Sequence, residues 1–132
     1  VGGTVFCFVT DLGHITEKVS SYIEKANYLI LEANYDEEML KGGHYPKFLK
    51  ERITSPLGHL SNKTTAKFLA EHITEDLKYV WLCHLSGENN HPELAYKTVE
   101  YELRGVGVIP GVGVKVTALK RNSPSELYEF EV

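Results

Sequence analysis

Thr4-Val5-Phe6-Cys7-Phe8-Val9-Thr10, followed by Asp11-Leu12-Gly13, is the stretch whose reading decides the fold. It is β-branched and aromatic, has no helical period, and ends in a polar residue and a turn former, so it reads as a buried strand. Working outward, Thr16 is a fitting N-cap for a helix carrying Val19, Tyr22, Ile23 and Ala26, and Tyr28 to Leu31 forms a second short apolar strand. Asp36 opens a helical turn through Met39 and Leu40, which Gly42-Gly43 breaks. Pro46 stands near the start of a second turn with Phe48, Leu49 and Ile53. Ser61 caps a helix with Ala66, Leu69, Ala70 and Ile73, and Tyr79 to Cys83 gives a third strand ending at His84. Pro92 fits the first turn of a helix through Ala95, Tyr96, Val99 and Leu103, with Gly105 at its C-terminal cap. Val106 to Leu119 alternates as a strand, and Leu127 to Val132 suits another. Strands alternating with helices predict an α/β layer arrangement, with helices on one face of a mixed sheet.

Composition sets the bounds. The 132 residues are the size of one domain, and 42% hydrophobic content is enough for a real core. A formal charge of -4 excludes an overall basic field that would draw nucleic acid or an acidic membrane, which leaves only local basic patches such as Lys47, Lys50 and Arg52. Cys7 and Cys83 each lie in an apolar run, the setting of reduced buried thiols, so a cytoplasmic location is expected. No stretch approaches the ~20 apolar residues of a membrane span. The chain opens at Val1-Gly2-Gly3 and runs at once into a strand, from which a further, N-terminal half is expected.

Reactive groups in α/β folds gather at the carboxyl ends of strands. Three polar clusters hold that position here: Asp11 after the first strand, Glu32-Ala33-Asn34-Tyr35-Asp36 after the second, and His84-Leu85-Ser86-Gly87-Glu88-Asn89-Asn90-His91 after the third. A fourth, Gly58-His59-Leu60-Ser61-Asn62, precedes the Ser61 helix, whose N–H groups and dipole favour an anion, so His59 is placed beside a potential phosphate site. Carboxylate and imidazole arriving together suit a borderline ion such as zinc or manganese.

These strings, with Gly43, Tyr45-Pro46, Leu49-Lys50, Arg52-Ile53 and Pro92-Glu93-Leu94-Ala95, together resemble the YycJ-type (WalJ-type) branch of the metallo-β-lactamase superfamily over roughly residues 4 to 105. The resemblance implies the C-terminal half of a metallo-β-lactamase αββα sandwich, spanning residues 1–132, and a metal-dependent phosphodiesterase or DNA exonuclease. It also implies two divalent metal ions, zinc or manganese, and nucleic acid or another phosphodiester as partner. Asp11 matches the carboxylate that bridges the two metals, His84 a late metal-ligating histidine, and His59 a proton donor to the leaving oxygen. Asn34, Asp36, Ser61, Asn62, Asn89 and Asn90 are the expected substrate contacts. The superfamily's His-x-His-x-Asp-His motif occurs nowhere in the chain, so a missing N-terminal half or a second copy would complete the site, and the segment alone is expected to be inactive.

Simpler structural roles compete at each position. Asn34 and Asp36 suit local backbone bonds as well as a substrate cleft, and Asn89-Asn90 suit a loop network as well as phosphate contacts. His14 is either a loop residue or a secondary contact near Asp11, His91 is expected to cap its helix, His72 to face solvent, and His44 to have no role. Two rival functions stay open: a binding or assembly module retaining part of a metal site, and a hydrolase of a small ester or thioester.

Overall fold

The computed structural model describes residues 4–10, 15–55 and 58–119. Within them four strands form one sheet in the order β1-β2-β3-β4, with β1 Phe6–Val9, β2 Tyr28–Glu32, β3 Tyr79–Cys83 and β4 Lys115–Ala118. Every pairing is parallel, and Val9, Leu31 and Leu82 lie in one row with Ala118. The expected mixed sheet is thus corrected to a parallel one. Each strand-to-strand connection carries at least one helix, which returns the chain to the same end of the sheet and rules out tight hairpins. The strand expected over residues 127 to 132 lies outside the described residues.

Three helices, α1 Glu17–Glu24, α4 Asn62–His72 and α5 Pro92–Gly105, supply Ile23, Ala66, Leu69, Ala95, Val99 and Leu103 to a core with Leu29, Leu31, Val80 and Leu82 from the sheet. Full burial of each such Leu or Val is worth ~1.5–3 kcal/mol, so this layer is the main source of stability. Side chains alternate along a strand. The opposite face of the sheet therefore carries Phe6, Tyr28, Tyr79 and Trp81, with stacked centroids 4.9 Å apart for Phe6–Tyr28 and 4.3 Å for Tyr79–Trp81.

The short helices α2 Glu37–Gly42 and α3 Lys47–Thr54 fall between β2 and α4. The expected caps hold at Thr16 and Ser61, which accept from the N–H groups of Val19 and Thr64, and Asp36, expected to open a helical turn, caps α2 by accepting from the Met39 N–H. His91 caps α5 through Nδ1, with Pro92 in its first turn. Two sequence expectations shift. Gly105 is the last residue of α5 and Val106 its cap. The strand expected from Val106 narrows to Lys115–Ala118, because Gly107, Gly111 and Gly113 take φ of 83°, 97° and 88°, turn conformations that a strand excludes. His72 is also not simply solvent-facing: its ring packs on Phe68 at 4.6 Å and its Nδ1 lies 3.5 Å from Glu24.

Candidate metal-binding site

Parallel pairing puts the carboxyl ends of all four strands at one edge, and the chain continues the pairing beyond them. The Ala33 N–H donates to the Cys83 carbonyl at 3.1 Å, the Asn34 N–H to Leu60 at 2.9 Å, and the Ser86 N–H to Asn34 at 2.7 Å. An isolated parallel bridge joins Tyr35 to Ser61. The segment after β2 is thereby clamped between the approach to α4 and the loop after β3, which brings three of the sequence clusters together.

At their meeting point lies Glu32, the last residue of β2, whose side chain is fully buried. Its Oε1 lies 2.5 Å from His84 Nδ1 and 3.2 Å from His59 Nδ1. Its Oε2 accepts the Leu60 N–H at 3.1 Å, and its backbone carbonyl accepts the Thr65 hydroxyl at 2.7 Å. The two imidazoles meet edge to face with centroids 5.3 Å apart. A carboxylate is acceptor-only, so Nδ1 of each ring is the donor and Nε2 is left with the lone pair. Glu32 fixes both rings in orientation and tautomer, as a carboxylate behind a metal-ligating histidine does. Glu32, His59 and His84 gather oxygen and nitrogen atoms within 4.8 Å of one another, donor types that suit a divalent ion, and with both Nδ1 atoms engaged by Glu32 it is Nε2 that each ring has left for a metal or a proton.

His84 sits at φ 60°, the one non-glycine residue with positive φ among the described residues. Such a conformation costs roughly 1–2 kcal/mol and must be held by its surroundings. Asn34 supplies one hold, its Nδ2 donating to the His84 carbonyl at 2.8 Å. His59 is held from the other side. Its N–H donates to the carbonyl of Ile53 at 2.9 Å, and Gly58 passes so close to α3 that a Cβ there would lie 2.2 Å from Ile53 O and 2.3 Å from Arg52 O.

Asn34, His59, His84 and Ser86 line a cleft of about 620 Å³ together with Tyr45, Leu49 and Ile53. The remaining expected substrate contacts are placed differently. Ser61 and Asn62 are 2% and 1% exposed, and Asn89 and Asn90 are buried beside them. Asn62 and Asn90 exchange two amide hydrogen bonds of 2.8 and 2.9 Å, and Asn90 also donates to Ala33 O. Ser61 donates to Glu37 Oε1 at 3.1 Å, which sets a carboxylate where an anion at the α4 terminus was expected. The Asn89 N–H donates to Ser86 Oγ and its carbonyl accepts the Asp36 N–H, while the Asp36 side chain caps α2. These bonds trace the loop network that is the alternative for Asn89 and Asn90 and the local backbone bond that is the alternative for Asp36. Burial, with the charge of Glu37 as a smaller cause, pushes the Tyr35 hydroxyl above its ordinary value against an opposing Ser61 hydrogen bond. Lys50 Nζ donates to the carbonyls of Lys41 and Gly43, both at 2.9 Å, so it braces α2 against α3.

Asp11 and His14 lie outside the described residues. Glu32 was not singled out as a site residue from the sequence. The legible signal was a carboxylate closing the apolar run Tyr28-Leu29-Ile30-Leu31, since a buried charge demands partners.

With this geometry in view, the comparisons with known proteins become specific. The chain is similar to bacterial exodeoxyribonucleases. It is 40% identical over 102 residues to exodeoxyribonuclease YycJ of Bacillus anthracis, covering 76% of this chain and 39% of the relative. It is 36% identical over 125 residues to exodeoxyribonuclease WalJ of Streptococcus pneumoniae, covering 95% of this chain and 46% of that protein. The chain thus spans less than half the length of these curated relatives. No family model and no solved structure matches it.

Proposed function

We propose that this chain carries part of the active centre of a metal-dependent DNA exonuclease of the YycJ and WalJ family, built on the metallo-β-lactamase fold, acting in the cytoplasm and completed by residues outside the chain. The observation that carries the reading is the buried Glu32 carboxylate at the end of β2 holding the imidazoles of His84, just after β3, and His59, just before α4, in a chain similar to two named exodeoxyribonucleases. Helices on one face of the sheet and aromatic side chains on the other support the reading of one half of an αββα sandwich.

In this reading Asp11 and His84 contribute ligands to two divalent ions, zinc or manganese. Ions held there would supply Lewis-acid charge stabilisation to the phosphoryl oxygens. His84 offers Nε2, because its Nδ1 is engaged by Glu32. His59, with Nδ1 engaged by Glu32, has Nε2 left for the cleft; when doubly protonated, its cationic ring balanced by the Glu32 carboxylate, it delivers the Nε2 proton to the departing oxygen and returns to the neutral imidazole. Asn34 stands at the cleft wall and fixes the strained His84 backbone. Asp36, Ser61, Asn62, Asn89 and Asn90 act beneath the cleft as its bracing.

The test is metal analysis beside nuclease and phosphodiester assays on variants of the intact protein. His59→Ala should lower turnover by about 10²- to 10⁴-fold with metal content retained. Asp11→Ala should lose metal and activity together. A wild-type rate in His59→Ala removes the proton-donor role, and activity surviving Asp11→Ala removes the two-metal site.

A further inference from the structure

The cleft beside the histidines is chemically two-sided. Asn34, His59, His84 and Ser86 in its lining account for an anionic phosphodiester, yet the same cleft is also lined by a wall of Tyr45, Leu49 and Ile53 that a phosphate has no use for. Leu49 and Ile53 are four residues apart and so share one side of α3, and α3 buries no residue in the core. Its apolar side is spent on the cleft. The wall is also fixed in place: Lys50 ties α3 to the carbonyls ending α2, and the Ile53 carbonyl holds the N–H of His59.

We propose that this α3 wall is a nucleobase seat, in which the base next to the scissile phosphate lies against Tyr45 and the Leu49–Ile53 side of the helix while the phosphate meets the histidines. The inference rests on the phosphodiesterase reading above and adds the group recognised. An uncharged, flat body with polar edges fits both walls, since the Ser86 hydroxyl and the Asn34 amide stand within the same cleft. A plain acyl chain would make no use of the Ser86 hydroxyl proton or the Asn34 amide oxygen, the atoms left over once Ser86 accepts the Asn89 N–H and Asn34 donates to the His84 carbonyl. Every base has a π-face, so such a seat tolerates sequence.

The experiment uses the intact, manganese-loaded protein and two ligands that differ only by the base, thymidine 5′-monophosphate and 2-deoxyribose 5-phosphate, with affinities measured by calorimetry. In parallel, kcat/KM is measured on thymidine 5′-(p-nitrophenyl phosphate). Wild type should bind the nucleotide roughly 10-fold more tightly, the scale of base–aromatic stacking. Tyr45→Ala should collapse that gap and lower kcat/KM by a similar factor, and Tyr45→Phe should restore both. Equal affinities for the two ligands in wild type overturn the seat on their own, whatever the variants do. So does a Tyr45→Ala loss that is the same for both ligands. No hydrolysis of the thymidine diester by wild type overturns the phosphodiesterase reading itself, and the seat with it.

Discussion

The two ends of the sheet are built on opposite principles. At the carboxyl end lie Glu32, Ser61, Asn62, Thr65, Asn89 and Asn90, the buried polar residues of the described chain. At the other end a pocket of about 380 Å³ is lined chiefly by Ile73, Leu77, Val108, Ile109, Val112 and Val114, with Gly107 and Gly113 shaping the loop. Val106, Ile109 and Val112 stand 54%, 44% and 70% exposed there. Apolar contact is non-directional, so the second end can be assembled from glycines and valines in many ways. A buried amide or carboxylate costs free energy unless it is hydrogen-bonded, so at the first end the bonds of Glu32, Asn62 and Asn90 fix geometry. The molecule places exacting interactions where two imidazoles must be aimed, and permissive ones elsewhere.

That contrast can be broken most directly at Glu32. Glu32→Gln keeps the shape but turns one carboxylate oxygen into an amide N–H that must face either the imidazoles or the Leu60 N–H, donors both, and removes the charge; it should lower metal affinity or turnover of the intact protein by roughly 10–100-fold with folding retained, as read by metal titration and circular dichroism. A variant with unaltered metal affinity and turnover would show that the imidazoles are aimed by something else.

Gly58→Ala comes next. Its Cβ would collide with two backbone carbonyls of α3, which cannot rotate away, so a loss of about 3 kcal/mol in urea unfolding is expected, with turnover falling as His59 shifts. Wild-type stability would mean that α3 is free to move.

Asn62→Ala removes half of the reciprocal amide pair and strands Asn90, for an expected cost of about 1–2 kcal/mol by the same measurement. At the opposite end, Val112→Ser should change stability by no more than about 0.5 kcal/mol and leave turnover unaltered. A cost there equal to that of Asn62→Ala would erase the distinction between the two ends.

Much of this was legible in the sequence, for a local reason. Strand, helix and cap signals depend on neighbouring residues, so β2, β3, the caps at Asp36, Ser61 and His91, and the alternation of strand and helix could be read from Tyr28-Leu29-Ile30-Leu31, Tyr79-Val80-Trp81-Leu82-Cys83 and the polar residues beside them. The same signals placed Glu32, His59 and His84 at element ends. Helix-bearing connections were readable too, but not the parallel direction of every pairing they impose, because hydrogen-bond direction belongs to two segments at once. Nor could the sequence separate Asn34, which lines the cleft, from Asn62 and Asn90, which lie beneath it, since all three are amides at element ends and only packing decides which is covered. The convergence of His59 and His84, 25 residues apart, on a single carboxylate oxygen is likewise a product of sheet register and of the clamp around Ala33 to Tyr35. Sequence set which groups carry chemistry and which elements hold them; tertiary structure decided which of those groups share a proton, a wall or a partner, because those relations are distances between residues that the chain alone leaves far apart.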